Sequence, residues 1–275
     1  MVAKLRHIDP GAVYRVRPHL TVMSNSQPTR PPEHHPEHQH RSPQGQPIGF
    51  PLPDWTPRPR PPRTPLRGRF CRVEPLDPER HAHDLHIANQ GDVDGGMWTY
   101  LSVGPFDGED AYRAWLTQAS RSEDPLFYAI VDAESGQAVG LASYLRIDPA
   151  NGVIEVGHLQ FSPRLQRTPA ATEAMYLMMR RAFEELGYRR YEWKCDSLNA
   201  PSRAAAGRYG FQFEGIFRQA IVYKARNRDT AWFSITDAKW PDSKVAFERW
   251  LAPENFDAAG GQRQKLATLR APERD

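Results

Sequence analysis

A strand, a short loop and a long amphipathic helix follow one another between residues 153 and 187, and this order constrains the fold more than any other stretch. Residues 153–161 form an apolar run typical of a mostly buried strand. Apolar side chains then recur at helical spacing from Ala171 to Leu186, and Gly187 supplies a stop. Because such a helix must carry the chain on to another strand, here residues 189–195, the stretch predicts a βαβ crossover.

The loop between this strand and this helix has the features of an anion-binding seat. A helix N-terminus presents unpaired N–H groups and about half a positive charge. Arg164 and Arg167 lie on the entering loop and add positive charge. The sequence therefore predicts a phosphate site at the start of this helix.

Further predicted helices and strands lie before and after the strand–loop–helix of residues 153–187. Residues 68–76 predict a first strand, and two helices follow it. Residues 126–161 predict a three-stranded antiparallel meander. After the crossover come a short helix and two strands, joined by a polar turn at residues 225–229. We expect an α/β fold with a mixed sheet over residues 65–241, and a C-terminal helix and tail over residues 242–275.

Charge and proline are distributed unevenly along the 275 residues. Residues 1–64 hold nine Lys/Arg against four Asp/Glu, whereas the remainder holds 27 against 29. The same segment contains fourteen of the 26 prolines, which predicts a disordered extension. Because the basic character belongs to this extension, a nucleic-acid surface on the folded domain is disfavoured. Nucleic-acid binding through residues 1–64 stays open as an alternative.

Other sequence features indicate the cellular compartment and the cofactors to expect. The chain has no apolar run of 18 residues and no secretion signal, so we expect a cytoplasmic protein that does not span a membrane. Cys71 and Cys195 lie far apart and lack metal-ligand spacing, which fits a reducing compartment. We expect no metal cofactor, although the histidine cluster at residues 34–40 leaves weak metal binding open.

Two local motifs and the order of the predicted elements together resemble the GNAT acetyltransferases over roughly residues 66–241. One motif, Gln166-x-x-Pro169-x-Ala171, stands where that family has its acetyl-CoA pyrophosphate loop, and Thr172-Glu173-Ala174 follows as in the RimJ/RimL-like branch. The other is Asn199-x-x-Ser202 with a later Gly210-Phe211. Pro169 replaces a family glycine and removes one N–H. The resemblance implies a GNAT acyl-CoA N-acyltransferase fold.

The resemblance also implies that acetyl-CoA is the cosubstrate. The backbone of residues 159–161 is implied to hold the oxyanion and the pantetheine, and the N–H groups at residues 167, 168, 170 and 171 to remain available for the pyrophosphate. The full set of implied cofactor contacts is Leu159, Gln160, Phe161, Arg164, Gln166, Arg167, Thr168, Pro169, Ala170, Ala171, Thr172, Asn199 and Ser202.

Transfer of an acetyl group to an amine requires a base, an oxyanion donor and an acid for the leaving thiolate. Glu155 is the implied base, acting directly or through water; otherwise it is an outward-facing strand charge. His158 is a second candidate base or a hydrogen-bonded core residue, and a β-bulge would bring it to the same side as Glu155. Tyr209 is the nearest candidate acid, with core packing as its alternative.

Acceptor recognition is expected from the loop between the first two helices and from the last pair of strands. Trp98 and Tyr100 are candidate walls of the acceptor pocket, with core packing as the alternative for both aromatic rings. Asp92 and Asp94 are candidates to attract a cationic amine. The acceptor implied by the resemblance is a small-molecule amine or a protein N-terminus, and a homodimer stays open.

The leading hypothesis is therefore an acetyl-CoA-dependent N-acetyltransferase that transfers the acetyl group directly to a primary amine. Its rival is a CoA-binding module without catalysis, which the proline in the pyrophosphate loop and the lack of a clear tyrosine acid motivate.

Overall fold

The computed structural model describes residues 40–270. The chain divides into two units, residues 1–54 and residues 55–275. In the described part of the first unit, β1 (His40–Arg41) and β2 (Pro47–Ile48) form a short antiparallel hairpin. Most of the histidine cluster, at residues 34–38, lies outside the described residues, as do residues 1–33 of the predicted extension.

One eight-stranded sheet organises the second unit. Its strands are β3 (Leu66–Arg67), β4 (Cys71–Pro75), β5 (Leu126–Asp132), β6 (Ala138–Asp148), β7 (Val153–Phe161), β8 (Arg190–Asp196), β9 (Gln212–Tyr223) and β10 (Arg226–Thr236). They are ordered β3-β4-β5-β6-β7-β8-β10-β9. The β7–β8 pair is parallel and the other pairs are antiparallel. The predicted mixed sheet, with a meander followed by a βαβ crossover, is confirmed.

Helices cover the two faces of this sheet. They are α1 (Pro78–Asn89), α2 (Gly108–Ser120), α3 (Pro169–Arg180), α4 (Ala200–Tyr209), α5 (Trp240–Leu251) and α6 (Leu266–Leu269). Helices α1 and α2 pack on one face, where Leu85 and Leu116 meet Leu141 of β6. The larger core on the other face is formed by α3, α4 and α5. Across residues 40–270, none of the helices is long and apolar enough to cross a lipid bilayer.

The start of α3 is fixed by its own sequence and by a carboxylate in its second turn. Thr168 is the N-cap, its hydroxyl accepts a 3.2 Å hydrogen bond from the N–H of Ala171, and Pro169 occupies the first turn. Glu173 is buried and accepts hydrogen bonds of 2.6–2.8 Å from the backbone N–H groups of residues 69, 70 and 71. Glu173 therefore ties α3 to the start of β4.

The hairpin β9–β10 differs from the sequence prediction. The polar turn expected at residues 225–229 is wrong in position, because Lys224 and Ala225 form the turn with φ angles of 46° and 55°. Residues 226–229 instead belong to β10. A bulge interrupts β9, since Phe217 pairs with Thr230 but Ile221 pairs with Arg228. The longer β10 consequently reaches past the end of β8.

The proline-rich segment before β3 has no helix or strand at residues 55–64, yet it lies against the domain. The N–H of Arg58 donates to the carbonyl of Pro149 at 2.9 Å, and Tyr128 Oη donates to the carbonyl of Pro62 at 2.8 Å. Behind the sheet, Arg181 Nη1 donates to the carbonyl of Thr64 at 2.8 Å. This part of the predicted extension therefore runs along the meander.

Candidate active site

A cleft opens where β7 and β8 stop pairing. Their parallel ladder runs from Val153 opposite Arg190 to Val156 opposite Trp193, and ends there. A bulge in β7 follows, because Gly157 pairs with Ser143 while Gln160 pairs with Leu141. The cleft has a volume of about 250 Å³. Its lining comes from β6, β7, β8, β9 and β10, from the loop after α1 and from the start of α4.

The bulge sets the position of His158. This residue has a φ of 48°, an uncommon backbone conformation for a side chain with a Cβ, and it lines the cleft. Its Nδ1 lies 3.1 Å from Ser143 Oγ, and that hydroxyl also donates to the carbonyl of Gly157 at 3.1 Å. A hydroxyl has one proton, so when it donates to the carbonyl, the imidazole donates from Nδ1 and keeps Nε2 as a free base.

Burial keeps the His158 ring neutral. The pKa of His158 falls from 6.5 to about 4, mainly because of burial and then because of the nearby cations Arg146 and Arg228. The ring also packs against Phe127, with a centroid distance of 5.1 Å. At neutral pH the cleft therefore contains an uncharged imidazole.

Glu155 lies beside His158 in an ion-pair network whose centre is buried and whose outer members, Arg146 and Glu214, are partly exposed. One carboxylate oxygen accepts a 2.7 Å hydrogen bond from Arg146 Nη1, and the other lies 2.9 Å from Lys194 Nζ. Lys194 also contacts Glu192 at 2.7 Å. Burial raises the pKa of Glu155, while Lys194 and Arg146 oppose that shift. The expectation of an outward-facing strand charge is wrong, because the Glu155 side chain is only 3% exposed.

The network extends across the sheet to its edge. Arg190 donates to Glu192 at 2.6 Å and is also paired with Glu214 on β9. The network therefore has a net charge of zero when every carboxylate is ionised. Its cations are Arg146, Lys194 and Arg190, and its carboxylates are Glu155, Glu192 and Glu214. Trp232 covers the ammonium group of Lys194 at 3.7 Å from its ring centroid.

The loop that begins α3 keeps part of the predicted phosphate site, because only some of its backbone N–H groups are free. The N–H of Thr168 donates to the carbonyl of Leu165, and the N–H of Ala171 donates to the Thr168 side chain. These two groups are therefore not available, contrary to the prediction. Within residues 40–270, no hydrogen bond engages the N–H of Arg167 or of Ala170.

The side chains of this loop have mixed partners. Gln166 donates to the carbonyl of Phe161 at 2.8 Å, and Arg164 donates to Gln137 at 2.7 Å. Thr172 is buried and accepts from Arg208 at 3.1 Å, so its side chain holds α4 rather than the loop. Arg167 is exposed at the seat, with a φ of 62°.

A roof closes the other side of the cleft. It is the loop of residues 97–102, of which Met97, Tyr100, Leu101 and Ser102 line the cleft. Lys224 and Arg226, at the hairpin turn, donate to the carbonyls of Trp98 and Thr99, both at 2.8 Å. Tyr100 Oη donates to the carbonyl of Leu198 at 3.2 Å. The roof is thereby held to the hairpin and to the end of β8.

Several predicted residues lie elsewhere. Trp98 is buried among Phe106 and Tyr112 in the α1–α2 core, so its side chain does not wall the cleft. Tyr209 is also core: it stacks on Phe247, and burial raises its pKa. Neither residue lines the cleft, because the neighbouring helices need their rings for packing.

The remaining predicted residues occupy the cleft or its rim. The side chain of Gln160 is buried, its Oε1 accepts a 2.6 Å hydrogen bond from Tyr112 Oη, and its Nε2 has no hydrogen-bond partner among the described residues. Leu159, Asn199 and Ser202 line the cleft. Asn199 caps α4 through a 3.1 Å bond from the N–H of Ser202, and Ser202 Oγ accepts from Trp193 Nε1 at 3.0 Å. Asp92 accepts from the N–H of Met97, so it shapes the roof loop.

Comparison with known proteins identifies the family. The model of the acetyltransferase (GNAT) domain matches residues 72–212. A GCN5-related N-acetyltransferase from Brucella melitensis is 50% identical, with a TM-score of 0.78 over 80% of this chain and 99% of that one. The chain belongs to the GNAT acetyltransferase family. It is therefore an acyltransferase, and the predicted family and fold are confirmed.

Two other relatives extend the picture. A Bacillus subtilis protein named as a ribosomal N-acetyltransferase, YdaF, is 27% identical over 178 residues, which cover 62% of this chain and 92% of that protein. Its name agrees with the predicted RimJ/RimL-like branch of the GNAT family. The microcin C7 self immunity acetyltransferase MccE, 19% identical with a TM-score of 0.53 over 62% of this chain and 97% of that one, shares the GNAT fold.

The residues of this GNAT domain fit acetyl-CoA. Beyond Val156, β7 has no partner on its β8 side within the described residues, so the peptide groups that face this side between residues 158 and 160 remain for the amides of the pantetheine arm. The carbonyls of Gly157 and Phe161 already accept from Ser143 and Gln166. The unengaged N–H groups of Arg167 and Ala170 lie at the start of α3, where a pyrophosphate is favoured. Pro169 removes one N–H and leaves this seat in place.

Sequence reasoning missed Arg146, Lys194, Asp196, Tyr223 and Arg228, which all line the cleft. Alternation in β8 does assign Lys194 to the face opposite Trp193, but only the parallel register with β7 brings it to Glu155. Arg228 was assigned to a turn. No local signal in the sequence brings these side chains together.

Proposed function

We propose that this GNAT enzyme transfers the acetyl group of acetyl-CoA directly to the primary amine of a small molecule, with His158 as the proton acceptor. The observation that supports this most strongly is the neutral imidazole in the bulge of β7, between the seat for the cofactor and the roof over the acceptor side. A base in this position lies within reach of an amine that attacks a thioester held along β7.

The contacts of the two side chains favour His158 over Glu155 as the base. Both oxygens of Glu155 contact cations, so a proton on Glu155 would have to displace one of them. His158 keeps Nε2 free to accept a proton when its Nδ1 donates to Ser143. In this mechanism Glu155 stays ionised and holds Arg146 and Lys194 in position.

Ser202 is the proposed donor to the leaving thiolate. Its oxygen accepts the Trp193 indole N–H, so its own proton remains to donate, and it lies on the cleft beside Cys195. In the proposed step the N–C bond forms and the amine proton passes to His158. The C–S bond then breaks, the thiolate, hydrogen-bonded by Ser202, takes a proton from solvent, and His158 returns the amine proton to solvent.

Two relatives support parts of this proposal. The structure of MccE contains acetyl-CoA and AMP, which supports the same cosubstrate for the shared fold. The name of YdaF supports a ribosomal protein as a second candidate acceptor, in which case the N-terminus of that protein would enter the cleft.

Release of CoA thiol over a panel of primary amines tests the proposal. We expect amine-dependent turnover, and Glu155→Gln should lower turnover while leaving the dissociation constant for acetyl-CoA within about twofold. Acetyl-CoA binding with no turnover on any amine, and no effect of Glu155→Gln, would instead support a CoA-binding module.

A further inference from the structure

Arg228 differs from the other cations that line the cleft. Arg146 and Lys194 each contact a carboxylate of the buried network. Arg228 also lines the cleft, yet its Nε is buried without a hydrogen-bond partner, and no ion pair joins its guanidinium to a carboxylate of residues 40–270. A buried donor without a partner is unfavourable, so such a group usually has a partner or a ligand.

The backbone around Arg228 is fixed on both sides. The N–H of Gln219, in the β9 bulge, donates to Asp229 Oδ1 at 2.8 Å. The N–H of Ser197, just after β8, donates to the carbonyl of Asp229 at 2.8 Å. These bonds hold the start of β10 against the cleft. The guanidinium is therefore presented by an ordered strand rather than by a loose turn.

The carboxylates that line the cleft already have partners. Glu155 contacts Arg146 and Lys194. Asp196 accepts from Tyr223 Oη and from the N–H of Leu198, both at 2.9 Å. The cleft thus offers one unpaired cation and, within the described residues, no unpaired carboxylate. This distribution disfavours an acceptor that carries only positive charge.

We propose that Arg228 binds an anionic group, a carboxylate or a phosphate, on the acceptor amine. The planar guanidinium suits either group, because it can donate two parallel hydrogen bonds to a pair of oxygens. The acceptor class is then a small amino acid-like or aminoalkyl phosphate molecule rather than a polyamine. This inference rests on the proposed acetyl transfer, and it replaces the expectation that Asp92 and Asp94 attract a cationic amine.

Matched acceptor pairs test the inference. L-phenylalanine and L-phenylalaninamide differ in a carboxylate, and 2-aminoethyl phosphate and ethanolamine differ in a phosphate. We expect kcat/KM to be at least about tenfold higher for the anionic member of one pair, as loss of a charge-assisted hydrogen bond implies. The pair that shows the preference tells carboxylate from phosphate.

Variants assign that preference to Arg228. Arg228→Gln should lower kcat/KM for the anionic member to the level of its neutral partner, and Arg228→Lys should restore part of it. The control Arg218→Gln, which removes the same charge from an exposed position on the same hairpin, should change neither rate. The dissociation constant for CoA should stay the same in all three variants.

Equal kcat/KM within both pairs would overturn the inference, as would weaker CoA binding in Arg228→Gln, which would make Arg228 a cofactor ligand. If no amine is acetylated, the proposed function fails. The anion site is then decided by calorimetry with N-acetyl-L-phenylalanine and its amide on the CoA complex: binding of the acid alone, lost in Arg228→Gln, supports it, and equal binding contradicts it.

Discussion

The seat at the start of α3 is built from consecutive residues, whereas the acceptor side of the cleft is built from side chains of separate elements. On the cofactor side, β7, its loop and α3 are continuous in sequence, and the groups left for a ligand are backbone N–H groups. On the acceptor side, Arg146, Glu155, Lys194 and Arg228 come from β6, β7, β8 and β10. We therefore expect the cofactor side to tolerate replacement of side chains and the acceptor side to be sensitive to it.

The largest effect is expected at the base. His158→Gln should lower kcat by about 10²- to 10⁴-fold, because it removes the proton acceptor, while the dissociation constant for acetyl-CoA stays within about twofold. Initial rates and calorimetry measure the two quantities. His83→Gln, at an exposed histidine on α1, is the control and should behave as the wild type. Loss of cofactor binding in His158→Gln would break the separation of the two sides.

The buried network should dominate stability on the acceptor side. Lys194→Met removes the cation shared by two buried carboxylates and should lower the free energy of unfolding by about 3–5 kcal/mol. Lys244→Met, in a partly exposed ion pair on α5, should cost at most about 1 kcal/mol. Urea unfolding measures both. Equal losses in the two variants would mean that the network contributes no more than a surface pair.

The pH dependence follows from the depressed pKa of His158. The groups facing it are Arg146 on β6, Ser143 on β6, Glu155 on β7 and Arg228 on β10. Neutral His158 is required, so kcat/KM, corrected for protonation of the amine, should fall only as pH drops toward about 4. Arg228→Gln removes a nearby cation, which favours the imidazolium, and should move this acid limb to higher pH. If the acid limb of the kcat/KM profile lay at the ordinary histidine pKa in both the wild type and Arg228→Gln, burial of the ring would be contradicted.

The same shift affects stability. The folded pKa of His158, about 4, lies below the unfolded value of 6.5, so the unfolded chain binds more protons in this window. Folding stability should therefore fall as pH drops from 6.5 to about 4. In His158→Gln the melting temperature should fall less over this range, which thermal unfolding at a series of pH values measures. An unchanged slope would mean that the histidine titrates alike in both states.

The sequence predicted the cofactor side better than the acceptor side for a physical reason. Thr168 and Pro169 set the start of α3 through local hydrogen bonding and fixed φ, and these preferences are readable from neighbouring residues. Pairing of Glu155 with Lys194 depends on the strand register across 39 positions of sequence, and no local pattern encodes that register. Trp98 was misassigned because an aromatic residue after a loop looks the same whether it faces a cleft or a core.

The turn between the last two strands was also mispredicted because long-range contacts fix it. Polar residues 225–229 predict a turn, but the bulge in β9 and the bonds to Asp229 extend β10 through them. These bonds join residues ten and 32 positions apart, so composition alone does not reveal them. Arg228, the residue on which acceptor selectivity is proposed to depend, was hidden by this error.

The smallest effect is expected at the proline of the seat. Pro169→Gly restores one N–H but loosens the start of α3, and should lower the free energy of unfolding by about 1 kcal/mol. The dissociation constant for CoA should change by less than about threefold, because Arg167 and Ala170 keep their N–H groups. Calorimetry and urea unfolding measure the two. A tenfold gain in CoA affinity would show that the missing N–H limits the seat.

The most direct test follows the acetyl group itself. A single turnover with acetyl-CoA labelled in the acetyl group, an amine found active in the panel and enzyme in excess should place the label on the amine nitrogen, with one CoA thiol released for each acetylated amine. No label should remain on the denatured protein at any time point. Label that first appears on the protein and then passes to the amine, or that ends only in free acetate, would contradict direct transfer within the cleft.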